Sequence, residues 1–497
     1  MEPKKSTEEK WKGAKGVTAN KLELMNFQLK LLSWFALLPP MNAKRDSWTY
    51  RFHLLFCCTL LFWYIPMLIA DTMAIPQNWG NLPLVIEVIF QISASISAMI
   101  GGYYITYHKY RVVEHFKMLE TRFMGFINNS TVSEEHLSNT LAKVTKQAKL
   151  SSYLLILNVG TILLSWTGLP YIRMSKARAS ENILDQSSPD FWGYFCFVMW
   201  LPENPIESPK YEFLYLFQLP CVAVVIFHIT GLNMIFYFTI LYISFYFELL
   251  TKSLQDIDKR FPLESEHGPQ IIENKLILNE EEDASNQQYI QTHDLSVVKN
   301  EDSYSRKNLE TSYLFNNVNQ NETPEEYVAN FGDKSPEFLS LEENAIEHLK
   351  QCIKYHQSLL EYHKLANDLL SPMFLAFFMS NEISMCLSVF QILVNENSGI
   401  LKTLSSGLTV CTWPFIISYS GEYLTNKGKE FESVIYDMQW YKRSEKFKKL
   451  LLMNLAGAQK PVRLSAGNFF DVSLESFAEI VNKVYAYFTI VKKMYDG

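Results

Sequence analysis

Four ionisable residues near the C-terminal end, Asp471, Glu475, Glu479 and Lys483, recur every fourth residue around a run that is otherwise apolar from Val472 to Val491. On an α-helix that spacing draws one slowly drifting stripe. Charged side chains in a helix long enough to cross a bilayer are costly, so they usually face a bundle interior or a water-filled path. Carboxylates along such a path concentrate cations, which is the chemistry of ion conduction. A local reading is also open, with Asp471 and Glu475 as charges at a helix start and Glu479–Lys483 as an i,i+4 pair. No other set of residues suggests catalysis. No phosphate loop, zinc signature or nucleophile elbow stands in a supporting strand–turn–helix context. His348, His356 and His363 are eight and seven residues apart, too far for the i,i+3 or i,i+4 spacing of a helical metal pair. The seven cysteines are scattered through apolar runs, with neither a disulfide framework nor a CxxC spacing. No enzyme activity, metal or cofactor is expected.

The elements that must position the stripe are long and apolar. Mean hydropathy is near zero, at −0.03, only because very apolar runs are averaged with one very polar segment. Seven runs can cross about 30 Å of hydrocarbon. They predict an all-α polytopic membrane protein with transmembrane helices at about 52–71, 82–104, 150–171, 211–250, 367–394, 403–424 and 472–491. The fourth, 40 residues long, exceeds the hydrocarbon thickness about twofold. Read as one helix, its second half (Tyr237–Leu250) projects into the cytoplasm and needs protein to cover it. The N-terminal segment, residues 1–50, lacks a signal-peptide pattern, so the first span is expected to serve as an uncleaved signal. Within it Leu29–Leu38, closed by Pro39–Pro40, is too short to span and is expected to lie along the membrane surface.

Charge sets the orientation. Of the 45 Lys and Arg, 37 fall in the N-terminal segment and alternate loops, 7 fall on the opposite side, and Lys483 sits within a helix. By the positive-inside rule the N-terminus is cytoplasmic and the C-terminus extracellular, the inverse of a G-protein-coupled receptor. The cytoplasmic loop 251–366 contains a stretch, 264–343, with 18 acids against 5 bases. That composition favours a disordered insertion, and helical periodicity resumes at Leu341. A basic cytoplasmic loop, 425–465, leads to the last helix. The glycosylation sequons at Asn128, Asn129 and Asn321 fall on the cytoplasmic side, where they would go unused.

The residues around the last span resemble a known family. Tyr436-x-x-x-Trp440–Tyr441, then Leu450–Leu451–Leu452–Met453 and Ala458–Gln459–Lys460–Pro461, are similar to the ends of insect odorant receptors. So are Leu464–Ser465–Ala466–Gly467–Asn468–Phe469–Phe470, Ser473–Leu474–Glu475–Ser476–Phe477 and Tyr485–Ala486–Tyr487–Phe488–Thr489. The resemblance implies an odorant-gated, non-selective cation channel, a heterotetramer with a shared co-receptor subunit, in the plasma membrane of olfactory sensory dendrite cilia. It implies a pore along the last helix, with Glu479, Lys483, Tyr487, Ile490, Val491 and Lys493, and Ile490 at the narrow constriction. Tyr436, Trp440, Tyr441, Phe469 and Phe470 would serve subunit assembly. Ala486–Tyr487 and Lys493–Met494 depart from the gustatory-receptor ending, and Lys493 stands where the co-receptor has Gln. Both departures favour a ligand-specific subunit over a co-receptor or gustatory-like subunit.

By the same resemblance, a small volatile ligand enters the outer half of the bundle between helices two, three, four and six. The residues there are Phe90, Gln91, Gly160, Leu164, Trp166, Tyr215, Leu219, Val410 and Trp413, a lining suited to dispersion contacts with few hydrogen bonds. The expected partners are the co-receptor, the volatile and membrane lipid, with no nucleic acid. The rival from another class, a seven-helix receptor acting through a G protein, needs the N-terminus outside.

Overall fold

The structure is a computed structural model that describes residues 26–35, 37–39, 47–129, 134–180, 191–263, 336–394 and 400–496. The chain order is α1 (Asn26–Trp34), α2 (Trp48–Gln77), α3 (Leu82–Asn129), α4 (Glu134–Leu163), a π turn (Leu164–Gly168) and α5 (Leu169–Ala179). After these come α6 (Lys210–Arg260), α7 (Pro336–Val394), α8 (Ile400–Asp437) and α9 (Glu445–Ala458). A two-residue hairpin, β1 (Ser465–Ala466) and β2 (Phe470–Asp471), precedes α10 (Leu474–Asp496). This is a helical membrane protein. By length and composition, five helices among the described residues can cross a bilayer: Trp48–Gln77, Leu82–Leu119, Asn139–Ala179, Lys210–Arg260 and Leu339–Ile392. Two further helices, α8 and α10, occupy the other two expected spans. In α8, Ser405, Ser406, Thr409, Thr412, Ser418 and Ser420 dilute the apolar character, and α10 carries Glu475, Glu479, Lys483, Lys492 and Lys493.

The described residues group into two compact units, one from 1–253, 354–431 and 460–497, the other from 254–353 and 432–459. In the first, the most apolar window of α6 is 72% buried and that of α2 only 17%, so α6 is the central post. Outer positions on α2 and α4, such as Phe52, Phe62, Leu154 and Leu157, stay exposed and apolar, as a lipid-facing surface requires. The unbroken α6 spans about 77 Å at 1.5 Å per residue. From Phe236 to Leu250 it is almost wholly buried, so the protein cover that this stretch needs comes from its own chain. Phe236 stacks on Phe374 at 4.3 Å, Tyr246 donates to the Leu119 carbonyl (2.6 Å), and Phe247 meets His356 and Phe431 edge-on.

Three further regions add to the sequence expectations. Leu37 and Leu38 are 1% exposed, and Phe35 stacks on Phe227 of α6 at 5.3 Å. The short N-terminal segment packs these side chains into the bundle, and Gly231 supplies the room, since a Cβ there would lie 1.9 Å from Leu37. Helix α7 begins at Pro336, five residues before the expected Leu341. Its first turns, 336–343, belong to the acidic stretch, whose remainder lies outside the described residues. So do residues 1–25 and the sequon at Asn321. Finally, Asp471 is not on the last helix. It lies in β2, paired with Arg463 at 2.8 Å, and the helix starts after Ser473, whose Oγ caps the Ser476 amide (3.2 Å).

The hairpin turns on Gly467 and Asn468, with φ of 61° and 60°, the left-handed region that favours these residue types. It is fastened to α7: the Gly467 amide donates to the Ser371 carbonyl (3.0 Å) and hydroxyl (2.9 Å), and the Asn367 carboxamide accepts from the Ser465 amide (2.8 Å). Beside it Gly421 of α8 lies so close to the chain entering α10 that an added Cβ would sit 2.1 Å from the Val472 carbonyl oxygen.

In the second unit, Arg443 is 4% exposed and joins three chain segments. It pairs with Glu342 (3.1 Å) and Asp258 (3.0 Å) and donates to the Phe261 carbonyl (2.7 Å). Glu342, 1% exposed, also accepts from the Ser444 amide and hydroxyl at 3.0 and 2.8 Å. These bonds satisfy a buried charge that would otherwise be prohibitive.

Candidate functional site

A cavity lies inside the first unit, walled by α3, the end of α4 with its π turn, α6, α7, α8 and the segment before α6. It offers about 120 Å³ to the centre of a water-sized sphere. Its walls are mainly apolar, including Phe90, Ile162, Val222, Val225, Ile226 and Phe377, and no charged side chain lines it among the described residues. Hydroxyls and carboxamides, including Ser95, Ser97, Asn233, Ser380 and Asn381, complete the lining. Few polar groups in an apolar concavity is the composition of a site for a small neutral ligand.

One wall is built around Trp166. The π turn widens the helix by one residue and leaves Leu164 exposed while Trp166 turns inward, 8% exposed. The indole N–H donates to Ser406 Oγ (3.0 Å), the ring packs on Phe197 at 5.4 Å, and the Lys402 ammonium lies 4.4 Å from the ring centroid. Lys402 also pairs with Glu87 at 3.1 Å, and Glu87 accepts from Gln91 Nε2 (3.3 Å). This network closes off one side of the cavity with its charges matched. The segment bearing Phe197 is held in extended form by two glutamines. Gln218 accepts from the Cys196 amide (2.7 Å) and donates to the Phe197 carbonyl (3.3 Å), while Gln91 accepts from the Val198 amide (3.2 Å).

Of the nine residues expected around a ligand, the structure brings Phe90, Gln91, Trp166, Val410 and Trp413 to the cavity. Gly160 near the end of α4 and Leu164 at the start of the π turn are exposed, because residues two apart on a helix point to nearly opposite sides; Ile162, one turn before Trp166, takes that wall. Tyr215 spends its hydroxyl on the Thr167 carbonyl (2.7 Å). Leu219 lies one turn short of the α6 stripe, which begins at Val222. Sequence reasoning missed this stripe, and it missed the α7 wall of Phe377, Ser380, Asn381 and Ser384. The signal for α7 was present, since three small polar residues at helical spacing in an apolar span suggest a lined cavity.

On α10 the buried stripe is Ser476, Ile480 and Val484. Glu479, Lys483, Tyr487, Ile490 and Lys493 are all exposed, on faces that nothing in this single chain covers. Val491 is in the same helix. Among the described residues no ion pair joins Glu479 to Lys483. Tyr436, Tyr441 and Phe469 are exposed by 69%, 61% and 79%. Trp440 is half-buried and donates to the Tyr436 carbonyl (3.3 Å), and Phe470 packs edge-on against Phe378 at 5.5 Å.

The sequence profile of the 7tm odorant receptor family matches residues 81–485, and the chain belongs to that family. Odorant receptor Or2 of Anopheles gambiae is 25% identical over 149 residues, 30% of this chain and 39% of that receptor. Putative odorant receptor 85d of Drosophila melanogaster is 24% identical over 30% of this chain and 37% of its own length. The aligned part thus spans under two fifths of each of these relatives. Among solved structures, the insect olfactory receptor OR5 of Machilis hrabei in complex with eugenol has the same fold. Its TM-score is 0.65 at 10% identity, with 96% of this chain and 100% of that one covered.

Proposed function

We propose that the chain is a ligand-specific odorant receptor subunit of a heteromeric, ligand-gated, non-selective cation channel. It binds small volatile molecules in the cavity walled by Phe90, Trp166, Val410 and Trp413. The observation that carries this is the mainly apolar cavity, without a charged lining side chain among the described residues, in a member of the odorant receptor family. In this reading the chain crosses the membrane seven times, α8 and α10 completing the five most apolar spans. The N-terminus is cytoplasmic and the C-terminus extracellular, as the bias of basic residues requires. It works in the plasma membrane of sensory cilia with a co-receptor subunit as partner. The exposed faces of α10 and of Tyr436, Tyr441 and Phe469 supply subunit contacts and the ion path. Ile490 stands at the constriction, where a ring of apolar side chains gates by dewetting. Lys493 stands at the outer mouth, where positive charge opposes cation entry.

Whole-cell recording with the co-receptor subunit tests this. Ile490→Ser is expected to raise current in the absence of odorant, and Lys493→Gln to raise inward current. If both leave leak and conductance unchanged at equal surface expression, α10 does not line the path.

A further inference from the structure

Most of the polar groups around the cavity are already engaged. Gln91 bonds Glu87 and the Val198 amide, Ser97 bonds Ser380 (2.9 Å), Asn381 donates to the Phe377 carbonyl (2.7 Å), and Thr409 donates to the Ser405 carbonyl (2.8 Å). Two of the remaining polar side chains are sealed most completely within the bundle. Asn233 on α6 is 0% exposed and Ser95 on α3 is 1% exposed. Neither the Nδ2 nor the Oδ1 of Asn233, nor the Oγ of Ser95, has a hydrogen-bond partner among the described residues, and both residues line the cavity. An unpaired carboxamide on an apolar central helix is destabilising, so its presence calls for a partner that enters the cavity.

A carboxamide donates through Nδ2 and accepts through Oδ1, and a hydroxyl both donates and accepts. A ketone or ester could accept from Asn233 Nδ2 and Ser95 Oγ but has no proton for Asn233 Oδ1, and a hydrocarbon satisfies none of these atoms. A carboxylate would enter a cavity with no charged lining residue, at a high desolvation cost. We infer that the cavity selects a small neutral alcohol or phenol. Its O–H donates to Asn233 Oδ1, its oxygen accepts from Asn233 Nδ2 or Ser95 Oγ, and its hydrocarbon part fills the apolar walls. Asn233 and Ser95 are thereby specificity-determining residues. This selectivity rests on the cavity being the ligand site.

The test uses full-length protein in detergent and two matched probe pairs, 1-heptanol with heptane and benzyl alcohol with toluene. Binding is read by quenching of tryptophan fluorescence, to which Trp166 and Trp413 of the cavity wall contribute, and by thermal shift. Each alcohol is expected to bind about tenfold or more tighter than its hydrocarbon. In Asn233→Leu that preference falls to within about threefold, while unliganded Tm is unchanged or higher because an unpaired polar group has been removed. Ser95→Ala, a smaller change, lowers the preference in the same direction. Equal binding of alcohol and hydrocarbon by the wild-type protein, binding of none of the four probes, or full retention of the preference in both variants would overturn the inference. Val410→Trp separates the two levels. If it blocks all four probes while Asn233→Leu keeps the alcohol preference, the cavity stands and the selectivity fails. If it leaves all four affinities unchanged, the cavity is not the site.

Discussion

Arg443→Met is expected to lose about 3–5 kcal/mol of stability, because it strands the buried Glu342 carboxylate and frees Asp258 and the Phe261 carbonyl. Of these partners Glu342 matters most. It is 1% exposed and retains only the Ser444 amide and hydroxyl once the guanidinium is gone. Lysine would serve poorly, since it lacks the planar fork that reaches Glu342, Asp258 and Phe261 together. The double variant Arg443→Met, Glu342→Leu should recover part of the loss, as replacing a buried pair by apolar groups is far milder than breaking it. Thermal unfolding of the purified chain and surface labelling of expressing cells provide the check. A single variant with wild-type Tm would mean that the pair is not formed.

Gly421→Val has the second large effect. Even the first added carbon would lie 2.1 Å from the Val472 carbonyl oxygen and 3.0 Å from the Val472 side chain. The obstacle is backbone, which cannot rotate aside, so α8 and the chain entering α10 must separate. The expected cost is about 3 kcal/mol, with Gly421→Ala already costing a large part of it. Because Val472 lies two residues before α10, the displacement passes to the start of the helix proposed to line the pore. Resting current at equal surface expression should therefore change along with Tm. A Gly421→Ala protein with both values unaltered would show that the approach is looser than described.

Much of the architecture was legible because apolar length is a strong local signal. The five most apolar spans and the long α6 follow from runs of Leu, Ile, Val and Phe that have no other stable home. What was not legible depends on tertiary partners. Glu342 reads as one more acid in an acidic stretch until Arg443, about a hundred residues later, reaches it. The Leu37 side chain finds its place only because Gly231 opens a gap on α6. The stripe from Asp471 to Lys483 looked continuous, yet the turn at Gly467–Asn468 and the Ser473 cap start the helix after Asp471. For the cavity, five of the nine residues that the resemblance named stand in its lining. The polar face of α7 was there to be counted in Ser380, Asn381 and Ser384, whereas the π turn that holds Leu164 and Trp166 lies beyond simple helical counting.

The most direct measurement of the central claim is odorant-evoked inward current in cells expressing this chain with the co-receptor subunit, across a panel of small volatiles, for wild type and Val410→Trp at matched surface expression. Adding an indole to a cavity of about 120 Å³ leaves little room for a ligand without touching α10. The account predicts that wild type responds to part of the panel, and that Val410→Trp loses those responses or shifts them to smaller molecules with resting current unchanged. Identical dose–response curves for the two proteins would contradict it.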